Sequence, residues 1–332
     1  MSRIAVLATG GTVAMRHDPE AGGAIPALSA EDLAAVLPTD APELTAEEVC
    51  SLPSSHFTLE TLEQIQERVA AWAARPKVKG VVLTHGTDTL EETAYLLDLT
   101  VPGEKPLVIT GAMRPASEVG ADGPANLGAA VRVAGAARTR GLGALVVLND
   151  EIHAARFVTK MDTLSTATFQ SPGWGPLGRV EGDRVHIAWK LEREVLSCPR
   201  LEKRVALIKL AVGMQPHPLE DALARGARGV VLEALGGGRI PPWWLPVVEQ
   251  AAADGVAVVV ASRCPSGRVW DAYGYPGAYR TLRQMGCLFS GRLNGQKARV
   301  RLMVVLGAAQ EAKEVTRLWE GNPATASDFR ES

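Results

Sequence analysis

The chain has 332 residues, 46% of them hydrophobic and 22% charged, enough to bury a sizeable core in two domains rather than one. A net charge of −2 offers no basic field for a nucleic-acid backbone or an anionic membrane, so neither is an expected partner. Cys50, Cys198, Cys264 and Cys287 are widely spaced with no C-x-x-C pair, which argues against a zinc site or a disulfide framework and for free thiols in a reducing cytoplasm.

The first segment, MSRIAVLATGG, holds one arginine and a strand-length apolar run without the h-region and cleavage site of a signal peptide. No apolar stretch approaches the roughly 18–20 residues of a membrane span. Ile4–Leu7 is the first predicted strand, and the chain leaves it through Thr9-Gly10-Gly11-Thr12. Ser29-Ala30-Glu31-Asp32 reads as a capping box opening a helix over Glu31–Leu37. Leu59–Ala74 is the next predicted helix, followed by a strand at Gly80–Leu83. Thr89-Leu90-Glu91-Glu92 reads as a second capping box, opening Leu90–Leu99. A strand at Pro106–Ile109, a helix over Pro124–Arg138 and a strand at Ala144–Leu148 complete the run. This alternation argues for a mostly parallel sheet with helices on both faces.

From Asn149 to Lys190 the pattern changes to loops and a hairpin, carrying His153, Lys160 and SPGWGPLGRVEGDRVHIAW. Leu191–Glu202 is polar, mixed in charge and reads as a linker. Strands at Val205–Leu210, Gly229–Glu233 and Val256–Ala261 then alternate with helices over Pro241–Ala253, Ala278–Gln284 and Asn294–Val305. The expected fold class is therefore α/β in two domains: a larger N-terminal catalytic domain over 1–190, a linker over 191–202 and a smaller C-terminal α/β domain over 203–332.

Ligands of open parallel sheets collect beyond the carboxyl ends of the strands. Three such ends in the first domain are rich in glycine and hydroxyls: Thr9 to Thr12, Thr84-His85-Gly86-Thr87-Asp88-Thr89, and Thr110 to Pro115. Free backbone N–H groups there bind anions and can form an oxyanion hole. Each stretch alone is ordinary turn or N-cap chemistry. Together with Lys160 they make an activation set, because a threonine hydroxyl attacks only once a base takes its proton, and a desolvated lysine beside a carboxylate can be that base. Other chemistries lack their signatures. There is no G-x-S-x-G elbow, no G-x-x-x-x-G-K-[ST], no H-E-x-x-H and no metal-spaced Cys/His cluster, and Gly236–Gly238 do not form G-x-G-x-x-G. His85, beside a buried strand, reads as a hydrogen-bonded structural histidine.

ATGGTVA at Ala8–Ala14, VLTHGTDTLEETA at Val82–Ala94 and GAMRPASEVGADGPANL at Gly111–Leu127 together resemble the bacterial L-asparaginase (asparaginase/glutaminase) family. VTKMDT at Val158–Thr163, GPLG at Gly175–Gly178 and KARV at Lys297–Val300 extend the resemblance in order along nearly the whole chain. It implies hydrolysis of the side-chain amide of asparagine, and more weakly of glutamine, without a cofactor or metal. It matches Thr12 to the acyl-accepting nucleophile and Thr87, Asp88 and Lys160 to the rest of the catalytic set, with Asp88 on the substrate's α-ammonium. Ser54, in LPSSHFT, matches the contact to the α-carboxylate, and Gly11, Gly86, Thr87 and Ala112 are expected around the substrate through backbone groups. A homodimer or homotetramer is implied as well, with sites completed across subunits.

Two positions depart from that pattern. The family's tyrosine after the first motif is missing from RHDPEAGGAIPAL, the chain's first tyrosine being Tyr95. No glutamate occurs between Gln250 and Gln310, where periplasmic members carry one to a neighbouring subunit, and Asp271 or Tyr273 in RVWDAYGYPGAY are the candidates to replace it. The alternatives to an asparaginase are a mixed glutaminase-asparaginase and a catalytically weak amino-acid-binding homologue.

Overall fold

A computed structural model describes residues 3–12, 15–18, 23–26 and 43–321. The chain divides into two compact units, Met1–Val195 and Leu196–Ser332. The expected helix Glu31–Leu37 and its capping box lie outside the described residues.

In the first unit the strands are β1 (Arg3–Ala8), β2 (Met15–Asp18), β3 (Gly23–Pro26), β4 (Leu44–Glu48), β5 (Val78–Thr84), β6 (Leu107–Thr110) and β7 (Ala144–Leu148), followed by β8 (Glu151–Ala154), β9 (Thr159–Lys160), β10 (Phe169–Gln170), β11 (Gly178–Glu181) and β12 (Arg184–Ile187). The main sheet runs β12-β11-β8-β7-β6-β5-β1-β4. It is parallel from β4 to β7 and turns antiparallel at β7–β8 and in the β11–β12 hairpin. β1, β6 and β7 are buried almost end to end, as expected of strands covered on both faces. Alternate β1 residues feed the two layers. Ile4 and Val6 pack with Leu127, Ala130 and Val133 of helix α3 (Gly123–Gly135). Ala5 and Leu7 pack with Ile65 and Val69 of helix α1 (Leu59–Ala74) and Leu90 and Leu97 of helix α2 (Leu90–Thr100).

The strand order determines where a ligand site can form. From β1 the chain moves outward to the edge strand β4, then crosses back to β5 on the opposite side of β1. The winding reverses there, and the carboxyl ends at such a reversal are where open α/β sheets form their ligand crevice. Two of the glycine- and threonine-rich stretches lie at this point.

The second unit contains a parallel sheet in chain order, β13 (Val205–Lys209), β14 (Gly229–Ala234), β15 (Ala257–Ser262) and β16 (Leu288–Phe289). Its core joins these strands to Leu219 of α4 (His217–Ala224), Val248 and Ala251 of α5 (Leu245–Ala253) and Leu282 of α6 (Tyr279–Gln284). Helices α7 (Gly295–Ala308) and α8 (Ala312–Glu320) complete it. Trp244 is fully buried at the start of α5, whereas its neighbour Trp243 is 48% exposed. The architecture is the two-domain α/β class expected from the alternation of elements. Within the stretch read as a linker, Arg193 turns back onto the end of α2, donating to the carbonyls of Asp98 and Gly103. Among the described residues, no helix is long and apolar enough to cross a membrane.

Candidate active site

The crevice is built from backbone touching backbone. Gly10 and Gly11 hold φ of +90° and +82°, a left-handed region that side chains disfavour. A Cβ on Gly11 would stand 2.4 Å from the nitrogen of Gly86, and one on Gly10 would stand 2.7 Å from that of Leu52. A Cβ on Gly86 would in turn meet the Ser54 hydroxyl at 2.6 Å, and one on Gly111 the carbonyl of His85 at 2.5 Å. The ends of β1, β5 and β6 and the 51–54 segment thus interlock closely, with no room for a side chain at these glycines. Gly11, Gly86, Ser54 and Thr87 belong to one cluster, and buried Ala112 follows Gly111 in it.

The hydroxyls on either side of the first glycine pair differ. Thr9 is fully buried and donates its hydroxyl to the Thr84 carbonyl at 2.8 Å, tying β1 to β5. Thr12 lies one residue beyond the Gly11–Gly86 contact and is only partly buried. Ser54 is 3% exposed, and its hydroxyl has no hydrogen-bond partner among the described residues.

Lys160 comes from β9 and reaches the end of β5. Its Nζ donates to Thr87 Oγ1 and to Asp88 Oδ1, both at 2.9 Å. Thr87 is buried, while the Asp88 side chain is 63% exposed, so this pair joins the floor of the crevice to solvent. Thr89 does not cap α2 with its side chain, as the capping-box reading expected. Its hydroxyl instead donates to the Ser54 carbonyl at 3.0 Å, which anchors the 51–54 segment beside Gly86. A capping box that the sequence reading omitted, between Thr58 and Thr61, opens α1.

Two buried residues passed over in the sequence order the surrounding loops. Asn126 donates to the Gly111 carbonyl and to Asp122 Oδ2 at 3.0 Å each, and its Oδ1 accepts from Asn149 N at 2.9 Å. It thereby joins the ends of β6 and β7 to the start of α3. Glu91 accepts from Thr159 Oγ1 at 2.9 Å and from the Lys160 backbone N–H at 3.3 Å. Its signal was its spacing, four residues after Thr87 on the turn that opens α2.

His85 is structural. It is fully buried edge-on to Phe57, and its Nδ1–H donates to the Gly86 carbonyl at 2.7 Å. Burial lowers its pKa from 6.5 to about 4, so the ring is neutral at pH 7. The unfolded chain therefore takes up the proton first as the pH falls. The stability this group contributes is complete above about pH 6.5 and is lost toward pH 4, at up to about 1.4 kcal/mol per pH unit. His85→Gln is expected to flatten the pH dependence of stability in that window, read from urea midpoints at pH 4.5, 5.5 and 7.

Asp271, one candidate to replace the neighbouring-subunit glutamate, is committed inside its own unit. It is 7% exposed, accepts from the backbone N–H groups of Tyr273 and Tyr279, and lies 3.5 Å from Arg239 Nε. Tyr273 is 55% exposed with the Arg239 guanidinium 4.7 Å above its ring. Among the described residues, no His/Cys/Asp/Glu group is arranged to hold a metal ion.

The fold and crevice define a two-domain α/β protein in which hydroxyls, a lysine and a carboxylate gather where the sheet's winding reverses. Residues 3–193 match the family described as "Asparaginase, N-terminal", and residues 204–319 match "Glutaminase/Asparaginase C-terminal domain". The chain is 34% identical to the L-asparaginase of Bacillus licheniformis over 312 residues, covering 93% of this chain and 97% of that protein. It is 36% identical to a probable L-asparaginase of Deinococcus radiodurans, covering 96% and 97%. It is also 35% identical to the glutaminase-asparaginase of Pseudomonas aeruginosa, covering 96% and 91%. The chain belongs to the asparaginase family.

Proposed function

We propose that this protein is an L-asparaginase, hydrolysing the side-chain amide of L-asparagine to L-aspartate and ammonia through a threonine nucleophile. The observation that carries the reading is Lys160 Nζ lying 2.9 Å from both Thr87 and Asp88, at the crevice where Gly11 abuts Gly86. Thr12 Oγ1 attacks the amide carbon while its proton passes through Thr87 to Lys160 in its amine form. Backbone N–H groups at the strand ends meet the developing oxyanion. The C–N bond breaks, ammonia leaves with the returned proton, and the acyl group stays on Thr12. Water then attacks the ester with the same residues as base, releasing aspartate. Asp88 and Ser54 hold the α-ammonium and α-carboxylate, and Gly11, Gly86, Thr87 and Ala112 line the substrate.

The substrate is a small zwitterion, which suits an exposed carboxylate and a buried hydroxyl that has no partner among the described residues. A mixed glutaminase-asparaginase is the second reading, supported by the likeness to the Pseudomonas aeruginosa enzyme of that name. The working protein is proposed to be a cytoplasmic homodimer or homotetramer. Its four cysteines, widely spaced in the sequence with no C-x-x-C pair, suit a reducing compartment, and the exposed Trp270, Tyr273 and Tyr275 suit a partner surface.

The test is ammonia release by the purified protein from asparagine and from glutamine. Turnover of asparagine is expected, with kcat/KM about 10–200-fold above that for glutamine, the range one methylene supports. Asparagine binding without turnover overturns the enzyme reading in favour of a binding protein. Equal kcat/KM for the two amides supports the mixed enzyme.

A further inference from the structure

We propose that Glu91 is a positioning residue for the reaction: its carboxylate holds the Thr159–Lys160 strand at the distance from which the Lys160 side chain reaches Thr87 and Asp88. The inference rests on the reading of Lys160 given above. β9 is two residues long and, among the described residues, pairs with β10 in a ribbon separate from the main sheet, so the main sheet's ladder does not fix it. In that ribbon Met161 N donates to the Thr168 carbonyl, making 161–168 a hydrogen-bonded pair. Lys160, opposite Phe169, is then the alternate pair, with its N–H facing away from β10. Glu91 Oε1 takes that N–H at 3.3 Å and the Thr159 hydroxyl at 2.9 Å.

Glu91 is 7% exposed and stands on the first turn of α2, four residues after Thr87 and three after Asp88. A five-residue stretch therefore grips the lysine at both ends, its main chain through Glu91 and its Nζ through Thr87 and Asp88. A lysine stem has several rotatable bonds, and fixing its root restricts where the nitrogen can lie. A displacement of about 1 Å in such a group can cost on the order of 10²-fold in rate.

Steady-state kinetics on asparagine with Glu91→Gln, Glu91→Ala and Thr159→Val test this, with circular dichroism confirming folding. Glutamine retains an acceptor oxygen for both donors, so Glu91→Gln is expected to keep kcat within about 3-fold of the parent. Glu91→Ala is expected to lower kcat about 10–100-fold while KM moves less than about 3-fold. Thr159→Val removes one of the two bonds and should fall between them with KM unchanged, which keeps the test open if the alanine variant does not fold. Unchanged kcat in the folded Glu91→Ala or Thr159→Val protein overturns the proposal, as does a glutamine variant as slow as alanine. Lys160→Met is measured alongside. If it is inactive, the Glu91 variants decide the positioning role alone; if it is fully active, the site reading fails and this inference with it.

Discussion

Thr12→Ala is expected to lower kcat for asparagine by about 10⁴-fold or more, the scale on which a lost nucleophile is felt. The two other threonine hydroxyls nearest it in the motifs are already committed. Thr9 is fully buried with its hydroxyl committed to the Thr84 carbonyl, and Thr87 is held by Lys160. Folding should be preserved to within about 0.5 kcal/mol, since Thr12 is only partly buried. Asparagine binding should also survive, because Asp88 and Ser54 remain. Residues that act as one unit are not additive, so Thr12→Ala with Lys160→Met is expected to be no slower than Thr12→Ala alone. Single-turnover ammonia release and calorimetric binding on the same samples check both halves. A loss below about 10-fold would assign the nucleophile elsewhere.

The second large effect is expected at a residue without a side chain. Gly11→Ala places a methyl group 2.4 Å from the nitrogen and 2.5 Å from the Cα of Gly86, where no rotamer change gives relief. The φ of +82° adds about 1–2 kcal/mol for a non-glycine residue. The total should exceed about 4 kcal/mol, with activity lost as the β1 and β5 ends are forced apart. Gly141→Ala is the matched comparison, since its φ is +76° and nothing lies within 4 Å of the added carbon. It is expected to cost only the conformational part, about 1–2 kcal/mol. Denaturant midpoints of the two variants isolate the contact, and equal midpoints would show that the interlocked backbones carry no such constraint.

Much of this was legible in the sequence. α1 and β7 fall on the residues their patterns predict, β1 and β5 extend one or two residues beyond theirs and β6 is shifted on by one, because runs buried on both faces leave little ambiguity. α3 stops at Gly135 instead of Arg138, since Ala136 turns extended and a short 3₁₀ turn follows. β4 was hidden because LTAEE lies at the sheet edge, half exposed and without alternation. α4 and α8 were hidden because each buries a single residue, Leu219 and Trp319. At the site, Thr12, Thr87, Asp88 and Lys160 were readable as motifs, but the contact between Lys160 and Thr87 was not, because no local spacing encodes it. The second capping box was misread for a related reason. Thr89 has two possible partners, its own helix and the Ser54 carbonyl, and only tertiary structure brings the second within reach.

The antiparallel turn between β7 and β8 has a consequence for biogenesis. The loops at the ends of β1, β5 and β6 are all translated before Gly120, whereas the lysine that meets Thr87 lies 73 positions after it. On the proposed mechanism, a chain still emerging from the ribosome therefore carries the crevice's residues, the nucleophile and the carboxylate before it carries the base. Contacts this distant in sequence form after local ones, because the intervening loop must first be closed. On the proposed mechanism the nascent chain is chemically silent until the sheet reverses direction and brings in Lys160, so that free asparagine is spared by an unfinished enzyme.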